Sequence, residues 1–455
     1  MCNPRRRPRN NALDAQKPRL KQLGIDLRDG FVHRRNGRDP ILVRKDTTIS
    51  PLDLRQDELR SAHTPWASQP SHRCRRIEGG FRCDILVIGS GITGALIAER
   101  LTRDGRDVVI VDRERPGQGS TLASTAMLLW DIDRSLSQLT ELYGFERAAR
   151  AYQASLIAAR GLSTLISHYR LPCSFRPRKA LYLAAGDTAD PLLAETALRS
   201  RAGLPAAFLG HAALRERFGI NRPGAILSAD AADSDPISLA NGLLDVAHGR
   251  GARLLKGEAT TFDARAAKVT VGFENGSEAE ANIVVLATGY VMPSIVRATI
   301  QQPSSSWAIA TAPQPQNLWP EGTLIWEATE NYHYGRTTMD GRIIFGGEDE
   351  QGLIDPEARD AATASKARQL EEKLKALWPR AQAPLAYRWS GTFDTTRNGL
   401  PLIGAVADTP NLFAAYGYGG NGITFSYLAA TLIAKRIAGD SSPLFDDFAI
   451  ERDAP

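Results

Sequence analysis

Long apolar runs are missing from this chain of 455 residues. No stretch approaches the roughly 20 residues needed to cross a bilayer, so no integral membrane segment is expected. Cysteine is scarce. Cys2, Cys74, Cys83 and Cys173 fall in no CxxC or other ligand spacing, so no metal is expected and the thiols read as reduced, in a cytoplasmic protein. The N-terminus is basic, but no apolar segment follows Arg5-Arg6-Arg7, so no export signal is read there. No Ser/His/Asp or paired-carboxylate constellation is evident either.

What is present is ordinary globular material: 43% hydrophobic and 24% charged. The length suffices for two or three domains. The formal net charge of +5 is uneven: residues 1–80 carry 18 Lys and Arg against 9 Asp and Glu, and the rest 38 against 42. The front segment reads as a basic extension, poorly ordered over 1–50, with 51–80 packing on the body as an arm through Trp66. Only Phe31 and Trp66 interleave its charges, so nucleic acid is not an expected partner.

The chain is organised around residues 83–112. An apolar β-branched run, Ile85–Ile88, reads as a buried parallel strand. Gly89, Gly91 and Gly94 follow, then a helical pattern, then a second apolar run, Val108–Val111, ending on Asp112. Strand, glycine turn, helix, strand and acid are the parts of a dinucleotide site. Gly89 turns the chain sharply, Gly91 lets backbone approach a pyrophosphate, and Gly94 lets helix and strand pack closely. The helix start, at Ile92 and Thr93, offers N–H groups to phosphate. Asp112 is placed for ribose hydroxyls and disfavours a 2′-phosphate.

A second Gly/Ser/Thr cluster, Gly117 with Gly119-Ser120-Thr121, suits a cofactor larger than a nicotinamide dinucleotide. With Asp112-Arg113 ahead of it, the chain resembles the FAD-dependent amino-acid and amine oxidoreductases: D-amino-acid oxidase, glycine oxidase, sarcosine oxidase and the γ-glutamylputrescine oxidoreductase branch. Three further stretches carry the likeness: Glu258-Ala259, Ala287-Thr288-Gly289, and the block from Trp389 and Gly391 through Gly399-x-Pro401 to Gly417-x-Gly419-Gly420-Asn421-Gly422-Ile423. The resemblance implies non-covalent FAD. It places Arg113, Ser124 and Thr125 beside the cofactor, Ala259 at the adenine, Thr288 and Gly289 beside the dinucleotide, and Gly391 and Gly419–Ile423 at the ring. Where relatives carry Asn-Ala-Gly-Gly, this chain has Ser124-Thr125-Ala126-Met127. Where sarcosine oxidases end their motif in lysine, it has Thr424.

The expected fold class is α/β: a Rossmann-like FAD-binding domain with an inserted α+β antiparallel-sheet substrate domain. Residues 81–172, 222–302 and 386–440 are assigned to the first, 173–221 and 303–385 to the second, and 441–455 to a tail. Helices are expected over 134–170, Ile237–Arg250, Ala361–Leu377 and from Ile423, with strands between. Asp235-Pro236 reads as an N-cap and first helical position. Arg336 is the candidate clamp for a substrate carboxylate, because a guanidinium fork makes two parallel bonds; the bland reading is an ion pair with Glu348 or Asp349. Tyr334 and Thr424 complete the candidate substrate contacts, while His333 reads as structural. The implied reaction is hydride transfer from an amine-bearing carbon of a small amine or amino acid to the flavin, with O2, a quinone or another carrier as final acceptor. Two alternatives stay open: a flavin dehydrogenase of a hydroxy acid or polyol phosphate, and an RNA-modifying flavoprotein.

Overall fold

The structure is a computed structural model. It describes residues 60–452 except 62, 63, 67–71, 73, 266, 297–299, 354, 407 and 408. The reading of residues 1–50 lies outside them. In chain order the elements begin β1 (Arg60–Ser61), β2 (Arg75–Arg76), β3 (Phe81–Ile88), α1 (Ile92–Arg103), β4 (Val108–Asp112), α2 (Ser120–Ala123) and β5 (Met127–Leu128). Next come α3 (Leu136–Tyr143), α4 (Phe145–Tyr169), β6 (Arg176–Leu183), α5 (Asp190–Arg201), β7 (Ala206–Gly210), α6 (His211–Phe218), β8 (Gly224–Asp233) and α7 (Pro236–Gly249). The strands β9 (Arg253–Lys256), β10 (Ala259–Asp263), β11 (Val269–Phe273), β12 (Glu278–Leu286), β13 (Gln301–Thr311), β14 (Leu324–Glu327), β15 (Tyr334–Thr337) and β16 (Ile343–Gln351) follow. The chain closes with α8 (Pro356–Leu377), β17 (Leu385–Thr396), β18 (Leu402–Val406), β19 (Thr409–Tyr416), α9 (Gly422–Ile437) and α10 (Leu444–Asp447).

Two sheets result. In the first, β12, β3, β4, β9 and β2 run parallel side by side, and β19 joins β12 in parallel. Its central strands are apolar on both faces because helices cover one side and the β10–β11–β12 meander crosses the other. Asn275-Gly276 makes the tight turn between β11 and β12, with Gly276 at φ 80. The second sheet has the order β1-β17-β13-β16-β15-β14-β6-β8-β5, with β7 against β8. It is antiparallel except for the β14–β6 pair.

The expected domain limits need correction. The strands β8 and β17, assigned with 222–302 and 386–440 to the first domain, are hydrogen-bonded into the second sheet, as is β5. Each is a connection between layers, and sequence periodicity does not say which sheet a strand joins. The tail is also more integrated than expected: Phe448 is fully buried, and Asp447 pairs with Arg147 and Arg150 at 3.0 and 2.6 Å.

Local signals were read correctly where the side chain itself makes the bond. Asp235 caps α7 by accepting from the backbone N–H of Ile237 and Ser238, both at 2.9 Å. Ser135 and Gln138 form a reciprocal capping box at the start of α3, a signal that the reading of 134–170 as helix did not use. The arm packs as anticipated: β2 pairs with β9, and Trp66 is 8% exposed in a cluster with Leu122, Ile237, Ala308, Ile344 and Trp389. The Trp66 indole N–H donates to the Ser124 carbonyl at 2.9 Å. Trp66→Ala should therefore cost about 3–5 kcal/mol in urea unfolding, the range for emptying a buried tryptophan site; a loss under about 1 kcal/mol would mean the arm is not part of the core.

Candidate functional site

The glycine turn works through close approach. A Cβ on Gly94 would overlap the Gly89 carbonyl oxygen, and one on Gly89 (φ +105) would overlap the carbonyl of Ala287 at the end of β12. Only bare backbone lets β3, α1 and β12 meet there. The first turn of α1 has no side-chain cap from its own Ncap, Gly91. Instead the Ile92 N–H donates to the Thr121 hydroxyl at 3.0 Å, which ties α1 to the second Gly/Ser/Thr cluster. Asp112 is held at the end of β4 by the N–H and hydroxyl of Ser90, at 2.6 and 2.7 Å, and by the Glu114 N–H at 2.9 Å. Burial pushes its carboxyl pKa up. Arg113 reaches Glu258, next to Ala259, at 3.3 Å, which joins the two stretches expected at the nucleoside end.

A cleft of about 1240 Å³ opens beside these elements. Ile92 and Thr93 line it from the start of α1, and Ser120, Thr121, Ser124 and Thr125 from the second cluster. Gly289 and Gly391 come in from the end of β12 and from β17. Gly419, Gly420, Asn421, Gly422 and Ile423 close the far side. So segments more than 300 residues apart build one slot. Gly89, Gly91, Gly94, Asp112, Arg113, Gly119, Ala259 and Thr288 are not among the residues lining it. The α9 N-terminus also lacks a side-chain cap, and the Asn421 amide N–H donates to the Asp131 carbonyl. Two uncapped helix starts on one slot suit an anionic, extended ligand.

The glycine turn before α9 has a partner that sequence reasoning missed. Asp133 accepts from the Gly420 N–H at 2.8 Å, and a Cβ on Gly419 (φ +60) would overlap its carboxylate. Its pKa is pushed up to about 6 by burial, opposed by the Gly420 N–H and raised further by Asp349. No local pattern marks Asp133, since its partner lies 287 positions away. Asp133 also lines a second chamber, of about 2100 Å³, which shares Phe393, Tyr418 and Gly419 with the slot. Tyr182, Tyr332 and Asp349 line that chamber. The Gly346-Gly347 pair makes room for the tyrosines: a Cβ on Gly346 would come within 2.5 Å of the Tyr334 ring, and one on Gly347 within 2.8 Å of the Tyr332 carbonyl.

Of the three expected substrate contacts, only Tyr334 lines the cleft. Arg336 shares its strand face but stands about 7 Å further along the strand, two residues on. It is 2% exposed, pairs with Asp233 at 3.4 Å and donates to the carbonyls of Ser234 and Ala126 at 3.0 and 3.4 Å. Trp66 stacks on it at 5.2 Å. The ion pair is thus structural, with Asp233 and not Glu348 or Asp349. Thr424 is fully buried, and its hydroxyl donates to the Leu129 carbonyl at 2.7 Å, so it fixes α9 to the loop after β5. His333 is structural as read, held between Glu327 (2.8 Å) and Glu348 (3.0 Å).

The sequence matches the FAD dependent oxidoreductase family over residues 84–436. The chain belongs to that family. Among similar proteins is the γ-glutamylputrescine oxidoreductase of Escherichia coli (strain K12), 27% identical over 378 residues, which cover 81% of this chain and 86% of that protein. Glycine oxidase from Geobacillus kaustophilus superposes with a TM-score of 0.70 at 21% identity, covering 82% of this chain and all of the other. L-proline dehydrogenase from P. horikoshii gives 0.69 at 18% identity over 82% and 97%. The protein is an FAD-dependent oxidoreductase enzyme. The slot fits that cofactor: Gly289, Gly391, Gly419, Gly420 and Gly422 line it with bare backbone, and two helix starts whose own N-caps make no side-chain cap face it. Among the described residues, none lining the slot or the chamber is a cysteine or histidine. None of the described helices is long and apolar enough to cross a membrane, and no group of three His, Cys, Asp or Glu among the described residues could hold a metal.

Two substitutions test this site. Gly94→Ala forces backbone apart, so it should cost about 1–3 kcal/mol and lower the flavin-to-protein absorbance ratio of the purified enzyme. Asp133→Asn tests the clamp on the glycine turn. Protonation of Asp133 stabilises the fold fully below its unfolded pKa of about 4, and that contribution fades as pH rises through about 6. The Asn variant should match wild type near pH 4 and exceed it by about 1 kcal/mol at pH 7.5, after allowance for solvent in the chamber. Urea titrations at the two pH values measure the difference.

Proposed function

We propose that this enzyme oxidises the C–N bond of a small amine or amino acid in the cytoplasm, passing the electrons on to O2, a quinone or another carrier. The observation that supports the reading best is the slot in which Gly289, Gly391 and Gly419–Gly422 come together, with a separate chamber opening from it at Phe393, Tyr418 and Gly419. A flat ring in the slot would present one edge to that chamber. The similarity to γ-glutamylputrescine oxidoreductase and glycine oxidase points to amine chemistry.

Bound FAD would supply the acceptor for a hydride from the amine-bearing carbon: the C–H bond breaks, its electron pair leaves with the hydrogen, and the nitrogen lone pair forms the C=N bond that water later hydrolyses. The chain's own residues have three tasks. The N-terminal end of α9 faces the slot and stabilises negative charge there, by about 0.3–1 kcal/mol at exposed sites and more when buried. Tyr334, Trp326 and Trp307 wall the slot on the second-sheet side and exclude water. Asp133 holds the glycine turn in place, so that the reacting carbon meets a fixed wall; such positioning can supply many kcal/mol of the barrier reduction. No strong base is required, because the substrate reacts as its neutral amine.

A polyol phosphate fits less well. The described residues lining the slot include no Lys, Arg or His to meet a phosphate. Anaerobic mixing of the yellow enzyme with panels of amines, amino acids and 2-hydroxy acids decides the matter. Amines or amino acids should bleach the flavin within seconds to minutes, and hydroxy acids should not; the reverse pattern would remove the C–N reading.

A further inference from the structure

The charges on the substrate side of the slot are of one sign. Along the slot and chamber the described acidic residues are Asp131, Asp133, Glu195, Asp349 and Glu330, and the one cation is Arg134 at the rim. Asp131 and Glu195 both pair, from behind, with the fully buried Arg199. Arg134 donates to the Arg397 carbonyl at 2.8 Å and packs over Gly399. Arg336, the only cation the sequence offered as a carboxylate clamp, is committed to Asp233. That leaves Asp133 and Asp349 as the charges nearest the slot, and neither has an ion-pair partner among the described residues within 4 Å.

The placement of Asp349 is built into the backbone. Between β13 and β16 the register slips: Ser305 pairs with Glu350, but Trp307 pairs with Gly347. Glu348 and Asp349 therefore stand opposite Ser306 alone, in a bulge with Glu348 at φ +60. A non-glycine residue in that region costs free energy and needs support. His333 supplies it at 3.0 Å from the Glu348 carboxylate, and Lys366 at 3.1 Å from the Glu348 carbonyl. Lys366 also pairs with Glu350 at 2.6 Å, so both neighbouring acids are occupied. Asp349, between them, lines the chamber, and its Oδ1 is a buried acceptor without a hydrogen-bond partner. Bulges beside active sites re-aim a side chain, and here the carboxylate re-aimed has one oxygen without a donor.

Aromatic faces surround the same space. Tyr182 stacks on Trp326 at 4.0 Å, Trp326 meets Tyr332 edge-on at 6.0 Å, and Tyr332 lies 6.0 Å from Tyr334. Tyr182 and Tyr332 line the chamber, while Trp326 and Tyr334 line the slot. Rings at these spacings attract an ammonium through their faces.

We infer that the substrate is a dicationic amine, a diamine or polyamine, whose far ammonium is held in the chamber by Asp349 and Asp133 among Tyr182, Tyr332 and Trp326. The inference rests on the amine reading above and narrows it: an α-amino acid would bring its carboxylate to a wall whose charges, Arg134 at the rim apart, are acids. The near nitrogen, uncharged, is delivered to the slot, and the far one stays protonated and anchors the chain.

The test uses the flavin-loaded enzyme under nitrogen, with 1,4-diaminobutane, n-butylamine and glycine as reductants. The KM for 1,4-diaminobutane should be at least about tenfold below that for n-butylamine, the worth of one charge-assisted hydrogen bond, with similar limiting rates. Asp349→Asn should shrink that KM ratio to below about threefold, because the anchoring charge is gone while the aromatic faces remain. Flavin absorbance reports whether the variant is still loaded; if it is not, the wild-type ratio decides. Should glycine or n-butylamine bleach the flavin at concentrations equal to or below those of the diamine, the dication inference falls and the C–N reading stands. Should none of the amines or amino acids bleach it, both fall.

Discussion

Everything at the site depends on backbone packed against backbone at Gly89 and Gly94. The overlap that any Cβ would cause there, with the Ala287 and Gly89 carbonyls, shows how little space separates β12, β3 and the start of α1. That proximity brings the uncapped end of α1 to the slot. It also sets Ser90 within 2.7 Å of Asp112, so the acid at the end of β4 is oriented by the same turn. The hydroxyl of Thr121, 3.0 Å from the Ile92 N–H, carries the constraint to the next loop. A larger residue at either glycine would not merely strain a turn; it would move a helix end, a carboxylate and a loop together.

A second set of contacts holds the opposite wall, and it is ionic. Arg199 is fully buried between Asp131 and Glu195 and sits over the rings of Trp130, Tyr152 and Tyr182. Burying such a group is costly unless it is fully paired, and breaking the pair costs more than forming it gains. The Asp131 carbonyl accepts from the Asn421 amide, and the Asp133 carboxylate accepts from the Gly420 N–H. The short loop Asp131–Asp133 therefore couples the Arg199 cluster to the glycine turn that ends at α9. Two elements far apart in sequence, α5 and α9, are registered through three residues. This gives a physical reason for a buried ion pair beside the slot that pairing energy alone does not provide.

The sequence made the first sheet and the glycine segments readable because their signals are local. The run Ile85–Ile88, the three glycines, Asp112 and the capping pair Asp235-Pro236 each carry their meaning within a few positions, and each sits where that meaning requires. Strand membership was harder. The strands β8 and β17 look like any apolar run, and only long-range pairing assigns them to the second sheet. The substrate side was least readable. Tyr334 and Arg336 alternate onto one strand face, and no feature of the sequence says that one ring reaches the slot while the guanidinium two residues on meets Asp233. Thr424 occupies a motif position where relatives place a lysine, yet its hydroxyl is turned to Leu129 and serves packing.

Arg336 also shows why charge in a site has to be read from the wall and not from the strand. An arginine on the right strand is a carboxylate clamp only if its own acid is absent. Asp233 sits at the end of β8, and its carboxylate also accepts from Arg176 and Arg178 at 2.8 and 2.9 Å, so three guanidiniums converge on one acid. The local surplus of positive charge explains why burial and like charge, with Asp233 only partly offsetting them, bring the Arg336 pKa down to about 10. That cluster lies behind the slot. The surface facing the substrate is left to Asp133, Asp349 and aromatic faces, and its polarity is opposite to that of the strand that builds it. The sign of the field a substrate meets is thus set by pairing across β6, β8 and β15, where the arginines of β6 and β15 are spent on Asp233 of β8.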